Sequence, residues 1–121
     1  MVSRPCVLLQ RTTAKEQARR LIAAELPREI FATYGAVTVE NHLNMIVPIV
    51  DEPAVETAAL AAFFNSSVAD QVFRCISGSV AVSAYELEAM PLPAAAAMAD
   101  LSALLTRGAS RLELEALCDG L

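Results

Sequence analysis

The sequence predicts an α+β domain in which a small mixed or antiparallel sheet from the N-terminal half packs with helices from the C-terminal half. Two patterns carry that expectation. Short apolar or alternating runs of strand length cluster before residue 51, and helical spacings with their start and stop signals dominate after it. At 121 residues and 55% hydrophobic composition, the chain is expected to be one domain over 1–121, able to bury a single core and too short for a catalytic domain plus a second module.

Cys6 to Gln10 (CVLLQ) has strand length and composition, and Arg11, Thr12 and Thr13 continue it with polar side chains that strands tolerate. The next stretch supports two readings. Thr13 followed by Glu16 has capping-box spacing and opens a helix that would stop before Pro27. Alternatively, Lys15 to Gln17 form a turn and Arg19 to Ala24 a second strand. The chain turns at Tyr34 and Gly35. Ala36 to Glu40 then alternates as a strand, and Leu43 to Val50 continues with β-branched and apolar residues. Asn41 to Asn44 form a polar kink between these two segments.

Asp51 and Pro53 predict a helix start, with a carboxylate cap and proline in the first turn. Leu60, Phe64, Val68 and Val72 recur every fourth residue, and Phe63 widens the stripe. Ser67 with Asp70 repeats the capping-box spacing, so the helix is expected to break at Asn65 and restart with Ser67 as cap. Capping is then the plain role of Asn65, Ser66 and Ser67; close approach to a partner's backbone is the other. Gly78 between two serines suggests a tight turn or close contact, and Val80 and Val82 alternate as a short strand. Pro91 and Pro93 stop what precedes them. A helix from Ala94 to Leu105 is closed by Gly108, and Ser110 with Glu113 caps a last helix to about Cys118.

No run approaches the roughly 18 apolar residues of a membrane span, and the N-terminal apolar segment is too short for a signal peptide, which predicts a cytoplasmic chain with no membrane partner. The three cysteines, Cys6, Cys75 and Cys118, are odd in number and widely spaced, which argues for free thiols over a zinc site or disulfide framework. His42 is the lone histidine and has no ligand in motif spacing, so a structural or hydrogen-bonding role is expected and no metal is assigned. The four glycines are isolated from one another, and no Ser/His, Cys/His or carboxylate constellation appears, so no catalytic or cofactor-binding residue is assigned. The net charge of −5 hides an asymmetry: residues 1–47 carry six basic and four acidic residues, while 48–121 carry three and ten. A polyanion would meet the first part and avoid the second.

Three blocks in this order, QRTTAKEQARRLIAAELP at 10–27, VENHLNMIVP at 39–48 and FFNSSVADQVFRCISGSVAVSAYELEAMPLP at 63–93, resemble the C-terminal target-recognition region of bacterial adenine-specific DNA methyltransferases. These are restriction-modification enzymes, and the layout of helix, Asn-Ser and Pro-Leu-Pro is also similar to type I specificity subunits. The resemblance implies an α+β recognition domain that binds double-stranded DNA and selects the site to be methylated. Methyl transfer would fall to a separate catalytic domain holding S-adenosylmethionine. The Asn-Pro-Pro-Tyr type of catalytic motif and the cofactor loop are absent from this sequence, so the chain would be a fragment of such an enzyme or a detached recognition module, with no methyltransferase activity of its own. The resemblance also favours strand, turn, strand over a helix for residues 11–26.

Phosphates are held by Arg, Lys and backbone amides, and base edges are read by Arg, Asn, Gln, Ser and Thr. Arg11, Lys15, Arg19 and Arg20 are the phosphate candidates because they cluster where the chain is locally positive. Gln10, Thr12, Thr13, Arg74, Ser77 and Ser79 are candidates for groove or backbone contact. Arg74 has a structural alternative, since it stands four residues after Asp70 and can pair with it on a helix. The rival function is a small structural or protein-interaction domain, dimeric through its alanine-rich C-terminal helices and the Leu101, Leu104, Leu105 stripe, with no DNA binding.

Overall fold

A computed structural model describes residues 4–11, 19–39, 43–48, 55–77 and 82–120. In chain order these form β1 (Cys6–Gln10), β2 (Ala23–Leu26), α1 (Arg28–Tyr34), β3 (Leu43–Ile46), α2 (Thr57–Phe64), α3 (Ser67–Ile76), α4 (Ala84–Glu88), α5 (Ala95–Arg107) and α6 (Arg111–Asp119). The architecture is α+β, with a three-stranded antiparallel sheet and helices that gather in the second half.

β1 is central, with strand order β2-β1-β3. Its register sets Leu9 opposite Ala23 and Asn44, and Leu8 opposite Ala24 and Met45. A strand at 23–26 excludes the helix that would have run to Pro27. Side chains alternate across a strand, so this register assigns the two faces. Val7, Leu9 and Ala23 face inward and are buried, with Ile46 packed beside them. The outward face carries Cys6, Leu8, Ala24, Leu26, Leu43 and Met45, extended by Ile22 and Val47 beyond the strand ends, with Gln10 as its polar member; Cys6 is fully buried there and Leu8, Leu26 and Leu43 are half-buried.

α2 lies against the inner face, where Ala59 and Ala61 allow close approach and Phe63 and Phe64 fill the space, their rings edge to face at 5.7 Å. Ala69 and Phe73 of α3, Met98 and Leu101 of α5 and Cys118 of α6 complete the core, together with Leu21, Val82 and Met90. The stripe through Leu60, Phe64, Val68 and Val72 does not continue unbroken: Phe64 is buried, but α3 buries Ala69 and Phe73 while Val68 and Val72 are only partly covered. The break at Asn65 and Ser66 rephases the second helix, so one spacing cannot serve both.

The local stop signals hold. Gly108 adopts φ 78° at the end of α5, and Ser110 with Glu113 forms a reciprocal capping box on α6. Elsewhere the structure adds to the sequence reading or departs from it. Residues 28–34 are a helix, opened after Pro27 with Glu29 in its first turn and closed where Gly35, at φ 80°, donates its N–H to the Phe31 carbonyl. The strand expected from Ala36 to Glu40 reduces, over its described part, to a single bridge at Val37, because the helical turns and Gly35 redirect the chain into it. The strand from Leu43 ends at Ile46, two residues before Pro48, which has no N–H to donate to a ladder. The helix start at Asp51 and Pro53 and the Gly78 to Val80 segment lie outside the described residues; α2 is in place by Thr57. No described helix is long and apolar enough to cross a membrane.

Candidate functional site

The polar cluster singled out in the sequence lies at the α2–α3 junction, against the segment that enters β2. Antiparallel strands bond through alternate residues. Gln10 donates its N–H to the Ile22 carbonyl at 3.0 Å, so the peptide groups of Ala23 point away from β1. Asn65 meets them there, its Oδ1 accepting the Ala23 N–H at 2.8 Å and its Nδ2 donating to the Ala23 carbonyl at 2.7 Å. The side-chain amide thus pairs with the edge of β2 as a peptide group of another strand would.

Ser66, not Ser67, caps α3. Its hydroxyl accepts the Ala69 N–H at 3.3 Å and donates to the Phe63 carbonyl at 2.6 Å, bridging the two helices. Ser67 donates its N–H to the Glu115 carboxylate of α6 at 3.1 Å, which places negative charge at the positive end of α3. Asp70, 7% exposed, is not the partner of a Ser67 cap. Its Oδ1 accepts the N–H groups of Arg20 at 2.7 Å and Leu21 at 2.9 Å, and its Oδ2 accepts Arg74 Nε at 2.9 Å. Burial pushes the Asp70 pKa up, but the Leu21 N–H, the Arg74 guanidinium and the Arg20 N–H together outweigh it and hold the carboxyl below its ordinary value.

The candidate contact residues fall in different settings. Arg11 is exposed at the end of β1, and its carbonyl accepts the Val82 N–H. The Val82 carbonyl in turn accepts Asn44 Nδ2 at 2.6 Å. Gln10 is half-buried on the outer sheet face. Arg19 directs one terminal nitrogen to the Ser66 carbonyl at 3.1 Å, with its buried Nε unpartnered, and Arg20 is half-buried beside it. Arg74 forms the predicted ion pair with Asp70 while its side chain stays 44% exposed. Ser77 is buried, and its hydroxyl, with that of Ser83, hydrogen-bonds Glu86 and draws that carboxyl's pKa down. Ser77 therefore faces inward, away from any groove. Thr12, Thr13, Lys15, His42 and Ser79 lie outside the described residues.

Asn44 ties β3 to Val82 and Glu115 holds the start of α3, roles that escaped the sequence reading, whereas Ser66 was named there as a capping residue beside Asn65 and Ser67. Ser66 had a usable signal, because a hydroxyl one residue earlier also precedes a helix start. Asn44 and Glu115 had none, since each acts on a residue 38 or 48 positions away. Cys6 and Cys118 are buried thiols with pKa values raised by desolvation, whereas Cys75 is exposed; all three are free. No cluster of three or more His, Cys, Asp or Glu suited to a metal occurs among the described residues. A cavity of about 210 Å³ beside Asn65 and Ser66 is bordered by Arg111, Glu115 and Cys118. Arg111 pairs with Glu115 at 3.4 Å and donates to the Asn65 carbonyl at 3.2 Å, which braces α6 against the junction. No protein-family model matches the chain, and no curated protein or solved structure is significantly similar to it.

Proposed function

We propose that the chain is the DNA-binding, target-recognition part of an adenine-specific DNA methyltransferase of a restriction-modification system, acting on duplex DNA in the cytoplasm. A separate catalytic domain would hold S-adenosylmethionine and transfer the methyl group. One observation supports the reading: the three blocks that carry the resemblance interlock. Block 10–27 is joined to 63–93 through Ala23 with Asn65, Arg20 and Leu21 with Asp70, and Arg11 with Val82, and 39–48 joins them through Asn44. Segments 38 to 71 residues apart in sequence thus behave as one unit, as parts of a single recognition surface must.

In this reading Arg11 and Arg20 meet phosphates, with Lys15 beside them in sequence, and the acidic second half stays clear. Binding of a mixed-sequence duplex is expected at low salt, with log affinity falling linearly against log salt. Arg11→Ala and Arg20→Ala are each expected to reduce that slope by about 0.9, the contribution of one neutralised phosphate. A gel shift showing no binding, or an affinity flat in salt, overturns the proposal.

A second reading, a protein-interaction domain that pairs with a second copy of itself, is favoured by the outer sheet face. Antiparallel sheets with one solvated face normally carry polar residues there. Here Ile22, Met45 and Val47 are 36%, 45% and 38% exposed, and the paired strand positions put no charged side chain on that face. Three short strands offer far less than the roughly 800 Å² per partner of a stable interface, so the dimer would be weak. Sedimentation is expected to detect it at concentrations on the order of 100 μM, and Met45→Glu to abolish it. A strictly monomeric wild-type chain at that concentration removes this reading.

A further inference from the structure

We infer that α6 is a cover over the α2–α3 junction that opens as a unit while the sheet and the helices packed on it stay folded. The junction holds the polar cluster of Asn65, Ser66 and Ser67, so the opening controls access to that cluster. This motion requires no DNA and stands apart from the DNA-binding reading.

α6 packs chiefly on α3 and α5 and contributes a single buried residue, Cys118, whereas α2 buries Ala59, Ala61, Phe63 and Phe64. Leu114 and Leu117 are only partly covered, and Leu112 is 80% exposed. Packing beneath α6 is also incomplete, because the cavity of about 210 Å³ lies among Ala62, Ser66, Leu114 and Cys118. Side chains that face a void lack partner atoms on that side and forfeit the dispersion attraction a filled interface would supply. What joins α6 to the junction is polar. Glu115 accepts the Ser67 N–H at 3.1 Å, Arg111 donates to the Asn65 carbonyl at 3.2 Å, and the Ser66 hydroxyl bonds the Cys118 thiol. The first two contacts are exposed, where charged groups trade protein partners for water at little cost. The bonds that tie the junction to the sheet, from Asn65 to Ala23 and from Asp70 to Leu21, involve no residue of α6. α6 can therefore leave without breaking them. The chain parts between α5 and the Ser110 cap, where Gly108 holds φ 78° and Ala109 follows. A nine-residue helix is marginal in water by itself, so α6 loses its helix when it undocks. Local opening of this kind needs less free energy than unfolding the whole chain.

The test uses the full chain carrying Cys75→Ser, so that the exposed thiol does not compete. Slow labelling of Cys118 by iodoacetamide over hours, located by peptide mass mapping, reports the loss of its cover. Amide hydrogen exchange reports α6 at Glu115 and Ala116 and the central strand at Val7 and Leu9. Cys118 and the two α6 amides are expected to share one protection factor, at least about 100-fold smaller than that of Val7 and Leu9. Ile46→Val trims a side chain packed against the core from β3. It is expected to lower protection at Val7 and Leu9 roughly two- to tenfold and to leave α6 unchanged, because the sheet is intact in the open state. Glu115→Ala removes the bond to Ser67 and is expected to lower protection across α6 roughly two- to fivefold.

Equal protection in α6 and β1, or an equal fall in both with Ile46→Val, overturns the separate opening, because α6 then leaves only when the whole chain unfolds. Cys118 labelling far ahead of exchange at Glu115 overturns the opening as a unit, since the helix then frays only at its end. Undiminished α6 protection in Glu115→Ala overturns the part given to that carboxylate in holding the cover shut.

Discussion

Asn65→Ala isolates the contact that joins the helical half to the sheet. The substitution removes the acceptor of the Ala23 N–H and the donor to the Ala23 carbonyl, at 2.8 and 2.7 Å. Neither group can turn to β1, because the Gln10 to Ile22 bond sets the strand phase, and Ala23 at 8% exposure is poorly placed to recover both bonds from water. A buried backbone group left unpaired costs about 1–3 kcal/mol. Two such groups at the sheet rim, where water reaches one of them in part, give a loss of roughly 2–4 kcal/mol. With a urea m-value of about 1–3 kcal/mol per molar, the unfolding midpoint is expected to fall by roughly 1–2 M. Asn65→Asp keeps an acceptor for the Ala23 N–H but loses the donor and sets a carboxylate against the Ala23 carbonyl oxygen, so it is expected to fare no better. Urea denaturation followed by circular dichroism, with unchanged m-values as the check on two-state behaviour, measures both. A midpoint within about 0.3 M of wild type for Asn65→Ala would refute the strand-mimic argument, because it would mean that water or another side chain replaces the amide at no cost.

Two further outcomes follow from the same geometry. The Asp70 carboxyl is held below its ordinary pKa in the fold, so its contribution to stability is fully present above the unfolded value of about 3.9 and is lost as pH falls through the lower folded value. Urea midpoints taken from pH 6 to pH 2 are expected to drop more steeply below about pH 4 in wild type than in Asp70→Asn, and parallel curves would show that the carboxylate is not linked to folding. Of the three free cysteines, Cys75 is exposed and Cys6 and Cys118 are buried with raised pKa values. A thiol-reactive chromophore is therefore expected to titrate one thiol in the native chain and three after denaturation, and Cys75→Ser to abolish the native reaction.

Several elements were legible because their causes are local. Cys6 to Gln10 is apolar over strand length; Gly108 ends α5 because it can adopt a left-handed conformation; Ser110 and Glu113 cap α6 within one helical turn; and the break between α2 and α3 follows from hydroxyl and amide side chains set in a helical pattern. The Asp70–Arg74 pair was likewise readable from a four-residue spacing. The helix at 28–34 left local marks in Pro27, Glu29 and Gly35, yet it is too short to show a repeating apolar stripe, and only the turn at its end was read from the sequence.

The junction was a different matter. That Asn65 would extend the edge of β2, and that Asp70 would gather the amides of Arg20 and Leu21, depends on partners 42 to 50 residues away. Spacing along the chain carries no information about such pairs, because asparagine and aspartate bond equally well to a cap, a turn or a distant strand. Which of these they reach is decided when α2 packs on the inner face of the sheet and carries the junction to the edge of β2. Sequence thus determined where the chain makes helices and strands through residues that act on their own neighbours. Packing alone decided what the polar side chains between them hold, because a hydrogen-bonding group satisfies whichever buried partner the fold brings within its reach.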